Sequence, residues 1–254
     1  MAKIKGIFFD QDGVIIDTEK DGHRVAFNQT FKAFGFDFQW SVDEYHELLQ
    51  IGGGKERMLN YLHTRGFGKP VPPEEEEALI KDMHHAKTDL FIKLLEEKEL
   101  PIRPGVHRIM KEINDLNLVL GICTTSNQRA AQAVTANILS DIRFDLVLAG
   151  DVVTKKKPDP EIYLMAMEKT GLKPDECVVI EDSQNGVEAA KAAGMWVVAT
   201  TNYYTEKEDL NKADIILSCL GDPQGETGIS KKGNSRLSFD GVLTAQQVID
   251  YFSS

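Results

Sequence analysis

The apolar run from Ile4 to Phe9 passes directly into Asp10-Gln11-Asp12-Gly13, and this junction constrains the fold more than any other stretch of the chain. Side chains alternate along a strand, so Asp10 and Asp12 would share one side while Gln11 points away from Asp10. Gly13 permits a sharp turn at the strand end. Two like charges held together are costly unless something positive lies between them. A hard cation, Mg2+, at the carboxyl end of a buried strand satisfies that demand most economically. The plainer alternative is a strand followed by an Asp-rich turn.

Three further polar signals favour the first reading, because each follows its own strand-like run. Cys123-Thr124-Thr125-Ser126-Asn127 follows Leu118 to Ile122, Lys155-Lys156-Lys157-Pro158 follows Leu146-Val147-Leu148, and Glu181-Asp182-Ser183 follows Cys177 to Ile180. Ligands of open parallel sheets bind beyond the carboxyl ends of the strands. Four chemical groups at four strand ends therefore converge on one place.

The rhythm of the chain divides it. From Asp17 to Leu100 the apolar residues recur at helical spacing: Val25, Phe27, Phe31 and Phe34; Val42, Tyr45, Leu48 and Leu49; Met58, Leu59 and Leu62; then a long stripe from Leu79 to Leu94. Pro72-Pro73 and the acidic turn Glu74 to Glu77 open the last of these, matching the helix dipole. From Pro101 onward strands and helices alternate. Helices are expected near 105–116, 128–137, 159–170 and 184–193, and strands near 118–123, 144–148, 176–180, 195–200 and 214–217. This is an α/β chain with a doubly wound parallel-sheet, Rossmann-like core, 1–16 and 101–254, into which a helical cap, 17–100, is inserted after the first strand. Asp17 to His23 and Glu99 to Pro104 would be the crossings. The Gly, Ser, Lys and Pro-rich stretch 222–238 reads as a mobile loop, and Leu243 to Phe252 as a last short helix.

Composition narrows the function. A formal net charge of −11 argues against a nucleic-acid partner, which wants a basic face. A small phosphorylated ligand stays compatible, since a few cations in a cleft can make a local positive field. No apolar run approaches the ~20 residues that span a membrane, and the first residues carry no secretory signal. Cys123, Cys177 and Cys219 are odd in number and two lie in apolar runs, as buried reduced thiols do. A soluble, reducing compartment is expected, and a monomer is the default.

The set Asp10-x-Asp12-Gly13, Thr124, Lys157-Pro158 and Glu181-Asp182, in this order, resembles the haloacid dehalogenase superfamily. Ile15-Ile16-Asp17-Thr18-Glu19, Lys157-Pro158-Asp159-Pro160 and Glu181-Asp182-Ser183 look like its beta-phosphoglucomutase-like subgroup. Gly52-Gly53-Gly54-Lys55-Glu56-Arg57 and His84-His85-Ala86-Lys87 look more narrowly like the CbbY-type sugar-bisphosphate phosphatases. The resemblance runs from about Lys3 to about Asp222.

It implies a mechanism. Asp10 would attack phosphorus and form an aspartyl-phosphate, and Asp12 would act as general acid and base. Mg2+ would be held by Asp10, the Asp12 carbonyl and Asp182, with Glu181 on a metal-bound water. Thr124 and the Thr125 amide would bond the phosphoryl group, beside Ser126 and Asn127; the same residues also suit the cap of a following helix. Lys157 would neutralise charge, with Asn185 orienting it or the substrate. Lys155 and Lys156 read as a solvated run. In the cap, Gly53, Gly54, Lys55, Glu56, Arg57, His84 and Lys87 would grip a second phosphate or sugar hydroxyls, with Glu19 accepting hydrogen bonds from hydroxyls. His85 has no assigned part. The implied substrate is xylulose 1,5-bisphosphate, hydrolysed at its C1 phosphate in a chloroplast stroma or bacterial-type cytoplasm. That compound is an inhibitory side product of Rubisco, and its product returns to the Calvin cycle.

Rivals remain. A dehalogenase would lack the second Asp of the first motif, and a phosphonatase would need a cap lysine forming a Schiff base, which the GGGKER pattern fits less well. A beta-phosphoglucomutase shares the core set. A non-catalytic sugar-phosphate sensor would have no need of both carboxylates.

Overall fold

The computed structural model describes residues 3–97, 102–233 and 237–253. Its centre is a seven-stranded sheet in the order β3-β2-β1-β4-β5-β6-β7. β1 (Gly6–Phe9) lies between β2 (Val119–Cys123) and β4 (Cys177–Glu181) and is parallel to both. β3 (Leu146–Leu148), β5 (Trp196–Thr200) and β6 (Ile215–Leu217) continue the parallel pairing outward. The central runs GIFF and CVVIE are buried throughout, the mark of parallel strands covered on both faces.

Helices supply the covers. α5 (Val106–Asp115) buries Val106, Ile109, Met110 and Ile113 on one stripe, and packs with α6 (Gln128–Ile138) and α9 (Ala245–Phe252) into one apolar cluster. Truncating a core residue such as Ile113 to Ala would cost about 2–5 kcal/mol. α7 (Glu161–Thr170) and α8 (Gln184–Ala192) form the cluster on the other face with Phe8, Cys123 and Val179. Asn127, Ser183 and Thr244 cap α6, α8 and α9 through their side-chain oxygens, which satisfies helix amides that have no partner inside the helix.

One expectation needs correction. The segment read as a mobile loop contains β7 (Ser230–Lys232), antiparallel to β6. β7 is exposed throughout, so it has no apolar alternation to announce it. It is held by the ladder and by the Lys232 ammonium on the Asn211 and Ala213 carbonyls at 2.5 and 2.6 Å. The sheet is thus parallel except at one edge. Residues 234–236 of the same segment lie outside the described residues.

Between β1 and β2 the chain forms a helical turn at Glu19–His23, then α1 (Arg24–Ala33), α2 (Val42–Leu48), α3 (Gly54–Thr64) and α4 (Pro73–Glu97). These helices enclose a core of their own, built around Phe27, Phe31, Trp40, Tyr45, Met58 and Phe67. Ser41 and Glu44 form a capping box at the start of α2. Phe34 and Leu59, expected on buried faces, are 37% and 36% exposed. Phe34 sits past the end of α1 with non-helical backbone, and Leu59 lies one residue round from buried Met58. The crossings run side by side: Ile16 bridges Ile102, and the Arg103 amide donates to the Ile15 carbonyl at 2.9 Å. Glu99, Leu100 and Pro101 of the expected second crossing lie outside the described residues.

Candidate active site

At the end of β1 the Asp10 amide still donates to the Ile180 carbonyl of β4 at 2.9 Å, so the sheet fixes the first carboxylate. The chain then turns through Gly13, at φ +89°, where an added Cβ would lie 2.2 Å from an Asp182 carboxylate oxygen. Only glycine fits both the backbone and the space.

Lys157 anchors the buried side of the site. Its ammonium donates to Asp10 Oδ1 at 2.6 Å, Glu181 Oε1 at 2.6 Å and the Cys123 carbonyl at 2.8 Å, and lies 5.1 Å from the Tyr163 ring centre. Three donated bonds satisfy all three protons of an ammonium. The Tyr163 hydroxyl donates to the same Glu181 oxygen at 2.8 Å, and the Asp182 amide donates to the other at 3.0 Å. Gly186 makes room for this carboxylate, because a Cβ there would fall 1.9–2.1 Å from it. Asn202 Nδ2 holds Asp182 Oδ2 at 2.6 Å.

Oxygens of Asp10, Glu181 and Asp182 lie within 4.8 Å of one another. Burial pushes the carboxyls of Asp10 and Asp182 above their ordinary values. Neighbouring carboxylates add to the rise, and Lys157 and Arg103 respectively oppose it. A buried all-oxygen cluster with more negative charge than its cations balance is the donor set a hard divalent cation takes. The residues present therefore fit Mg2+. Glu181 belongs to this cluster and also holds Lys157.

Asp12 faces a different environment. Its Oδ1 accepts from Thr18 Oγ1 at 2.5 Å and meets His23 Nε2 at 3.0 Å, while Oδ2 accepts from Ser126 Oγ at 2.6 Å. Burial alone would raise its pKa, but the charge and hydrogen bond of His23, with those of Ser126 and Thr18, hold the carboxyl well below the carboxylate range. His23 Nδ1 lies 2.9 Å from Lys87 Nζ. Lys87, buried against the rings of Phe27 and Phe91, has its pKa lowered by burial to about 8. A row Asp12–His23–Lys87 thus joins the strand end to α4. His23 carried no expected role. Its signal was its place five residues after Thr18, where the i→i+5 bond from the His23 amide to the Thr18 carbonyl, 2.8 Å, brings both side chains to Asp12.

The cleft lies between strand ends and helices. One part is lined by Asp10, Asp12, Glu19, Arg57, Thr125, Lys157, Asp182 and Asn185; the adjoining part by Gly53, Gly54, His84, Lys87, Ser126 and Asn127, again with Asp12, Glu19, Arg57 and Thr125. Most residues expected from sequence therefore meet. Thr124 is buried beneath, its hydroxyl accepting from the Ser126 amide at 3.0 Å. Asn127 caps α6 and donates to Thr88 Oγ1 at 2.6 Å. Gly54 leaves space for His84, whose Nε2 would be 3.0 Å from an added Cβ. Burial and the lysines 87, 55 and 156 push the His84 pKa down to about 3, so its ring is neutral at pH 7.

Four expectations change. Lys55 and Glu56 line neither part of the cleft. Glu56 instead pairs with Lys156 at 3.0 Å. Lys156, read as solvated, is 14% exposed at its side chain and bridges α3 to the core; Lys155, at 72%, is solvated as read. Asn185 lines the cleft but donates to the Gln50 carbonyl at 3.0 Å rather than contacting Lys157. Arg57 faces the cleft while donating to the Leu48 and Ile51 carbonyls at 2.9 and 3.3 Å and to the Tyr45 hydroxyl at 3.0 Å. That hydroxyl in turn donates to Glu19. Tyr204 and Glu208, which also line the cleft, had no sequence signal beyond lying after a strand. Gln11 is fully buried and lines neither part.

A parallel sheet with Asp, Thr, Lys and Glu-Asp at successive strand ends, and helices inserted after the first strand, defines a class of hydrolase. The haloacid dehalogenase-like hydrolase family model matches residues 4–194, and the chain belongs to that family as a phosphatase-type enzyme. It is 46% identical to a CBBY-like protein of Arabidopsis thaliana over 96% of this chain and 75% of that one. It is 37% identical to the protein CbbY of Cereibacter sphaeroides over 89% and 96%. Among solved structures, CbbY from Rhodobacter sphaeroides with phosphate superposes with a TM-score of 0.78, at 38% identity over 85% of this chain and 94% of that one. A variant of that protein was solved with xylulose-(1,5)bisphosphate. A beta-phosphoglucomutase from Clostridium difficile superposes with a TM-score of 0.68 at 25% identity, over 84% and 90%.

Proposed function

We propose that this protein is a Mg2+-dependent sugar-bisphosphate phosphatase that hydrolyses the C1 phosphate of xylulose 1,5-bisphosphate through an aspartyl-phosphate on Asp10. The observation that carries the reading is the contrast between the two carboxylates of one turn. Asp10 is bound to Lys157 within the Glu181–Asp182 cluster, whereas Asp12 is held by Thr18, His23 and Ser126. Two carboxylates of one turn that meet such different partners can take different parts in one reaction. The CbbY relatives, and the sugar bisphosphate bound to one of them, supply the substrate.

Attack by one anion on another is repulsive, about 4 kcal/mol for each unit-charge contact at ~4 Å and an effective dielectric of ~20. Lys157, donating to Asp10, reduces that repulsion and aims the carboxylate. The Thr125 amide and the start of α6 face the phosphoryl oxygens. Asp10, the Asp12 carbonyl and Asp182 would hold Mg2+, which would supply positive charge against the same oxygens. Asp12, which takes up a proton as the dianionic substrate comes to lie beside it, gives that proton to the leaving sugar oxygen, then takes one from the water that hydrolyses the intermediate. Lys87 and Arg57, with His84 as a neutral donor, hold the second phosphate, and Glu19 meets hydroxyls. The helices of residues 17–100 act as a cap over the core of 1–16 and 101–254. The protein works as a monomer in a reducing stroma or cytoplasm. Among the described residues no helix is long and apolar enough to cross a membrane.

The test is phosphate release with Mg2+ from xylulose 1,5-bisphosphate, ribulose 1,5-bisphosphate and beta-glucose 1-phosphate at equal concentration. Strong preference for the first is expected. The likeness to a beta-phosphoglucomutase gives a second reading, and formation of glucose 6-phosphate from the third compound would establish that one instead.

A further inference from the structure

Arg103 lies where the chain rejoins the core after the helices, beside Ile102 and its bridge to Ile16. No motif or expected role included it. Its guanidinium makes four bonds, all to groups at the edge of the sheet that carries the site. It donates to the Gly13 carbonyl, to Thr200 Oγ1 at 3.1 Å, to the Thr201 carbonyl at 2.6 Å and to the Ser218 carbonyl at 3.0 Å. Gly13 belongs to the turn after Asp12. Thr200 and Thr201 end β5 and lead into Asn202. Asn202 Nδ2 bonds Asp182 Oδ2 at 2.6 Å and reaches the same Gly13 carbonyl at 3.3 Å.

One planar group therefore ties the Asp10–Gly13 turn to the loop that orients Asp182. These two pieces of chain are 189 residues apart, from Gly13 to Asn202; the first carries Asp10, and the second carries Asn202, which bonds Asp182. A guanidinium can serve four acceptors lying in different directions, whereas an ammonium is a single point with three donors. Arg103 is also, with Lys157, a cation that acts on this cluster.

We propose that Arg103 is a positioning residue for the divalent-cation site: by clamping Gly13 and the Thr200–Thr201 corner it sets the separation of Asp10 and Asp182. This rests on the metal reading above. Arg108 provides a control, because it makes a similar clamp on the Gly221 and Leu243 carbonyls at 2.7 and 2.9 Å, and neither it nor those partners line the cleft.

The experiment is direct calorimetric titration of Mg2+ into wild-type protein and the variants R103M, R103K and R108K, with thermal melting and steady-state kinetics across a Mg2+ series. Loss of a group that orients a metal ligand typically weakens binding by about 10–100-fold. R103M is expected to weaken Mg2+ binding by about tenfold or more, and R103K by a smaller factor, while R108K binds as wild type. At saturating Mg2+ the KM for the sugar phosphate should return to the wild-type value in both Arg103 variants, which a general loss of folding would not permit. If R103M does not fold, R103K carries the test alone. Equal Mg2+ affinity in wild type and R103K would overturn this inference and leave the proposed function standing. Absence of Mg2+ binding by the wild type would overturn both.

Discussion

The strand-end half of the cleft and the helix half are built on different rules. On the strand side, Asp10, Glu181 and Asp182 sit at strand ends that the sheet fixes; Lys157, from a turn, donates to the first two and Asn202 to the third. On the helix side, Glu19, Arg57, His84 and Lys87 come from a turn and two helices packed around an aromatic core. Their positions depend on relays such as Arg57–Tyr45–Glu19 and Lys87–His23–Asp12. The signs of charge differ as well: the strand side has three carboxylates around one ammonium, and the helix side two cations, Arg57 and Lys87, with neutral His84, around one carboxylate. The first arrangement suits a cation and bond-breaking at phosphorus; the second suits holding an anion. The proposed function places the chemistry in the strand half and the selectivity in the half assembled by packing.

The largest effect should come from the strand half. Asp10→Asn is expected to lower kcat on the order of 10⁴-fold or more, while equilibrium binding of the sugar bisphosphate persists. Near-normal turnover in that variant would remove the nucleophile assignment.

His23→Ala probes the junction of the halves. It removes one bond to Asp12 and the partner of Lys87, so kcat should fall about 10–100-fold, part of what a general acid and base contributes. The Asp12 pKa is held down by His23, so the variant raises it. Asp12 acts first by giving a proton, so the limb of the pH profile on which it loses that proton should move to higher pH. An unchanged limb with reduced kcat would leave His23 a packing residue only.

On the helix side, Arg57→Ala should raise KM for a bisphosphate about tenfold or more and for a monophosphate much less, as expected for a lost hydrogen bond to a charged group. Lys55→Ala, outside the cleft, should change neither appreciably. Equal losses on both substrates would break the assignment of a second phosphate to these helices.

Lys87 gives a pH test of the same idea. Its charged form, which a phosphate needs, is lost as pH rises through about 8. The kcat/KM for a bisphosphate should therefore fall above that pH. Lys87→Arg, which stays charged, should remove the fall. The smallest effect is expected from Lys156→Ala. Its partner Glu56 is 46% exposed at the side chain, and a partly solvated pair contributes less than about 1 kcal/mol. A large loss of melting temperature would show that the bridge carries more of the contact between the halves than its exposure suggests.

The same contrast explains what the sequence disclosed. The strand-side residues were legible because a short continuous apolar run that ends in a polar group places that group at the end of a buried strand, whatever the rest of the fold does. Asp10, Thr124, Lys157, Glu181 and Asp182 follow from that rule together with the family resemblance. His84 and Lys87 were legible as neighbours on one helix face. His23, Tyr45, Arg103, Asn202 and Tyr204 were not, because their roles arise only when distant segments meet. Lys55 and Arg57 show the limit well. They are two residues apart on α3, so they face different directions, and a motif read as one basic group splits into Arg57, which lines the cleft, and Lys55, which does not. β7 went unseen because an exposed three-residue strand leaves no hydrophobic trace.

The most direct measurement is acid-quenched single turnover of the wild-type protein with xylulose 1,5-bisphosphate and Mg2+, followed by peptide mass spectrometry. The account predicts one phosphoryl group on the peptide that holds Asp10, appearing and decaying as free phosphate is released. Turnover with no phosphorylated peptide at any quench time, or a phosphoryl group on another residue, would contradict it.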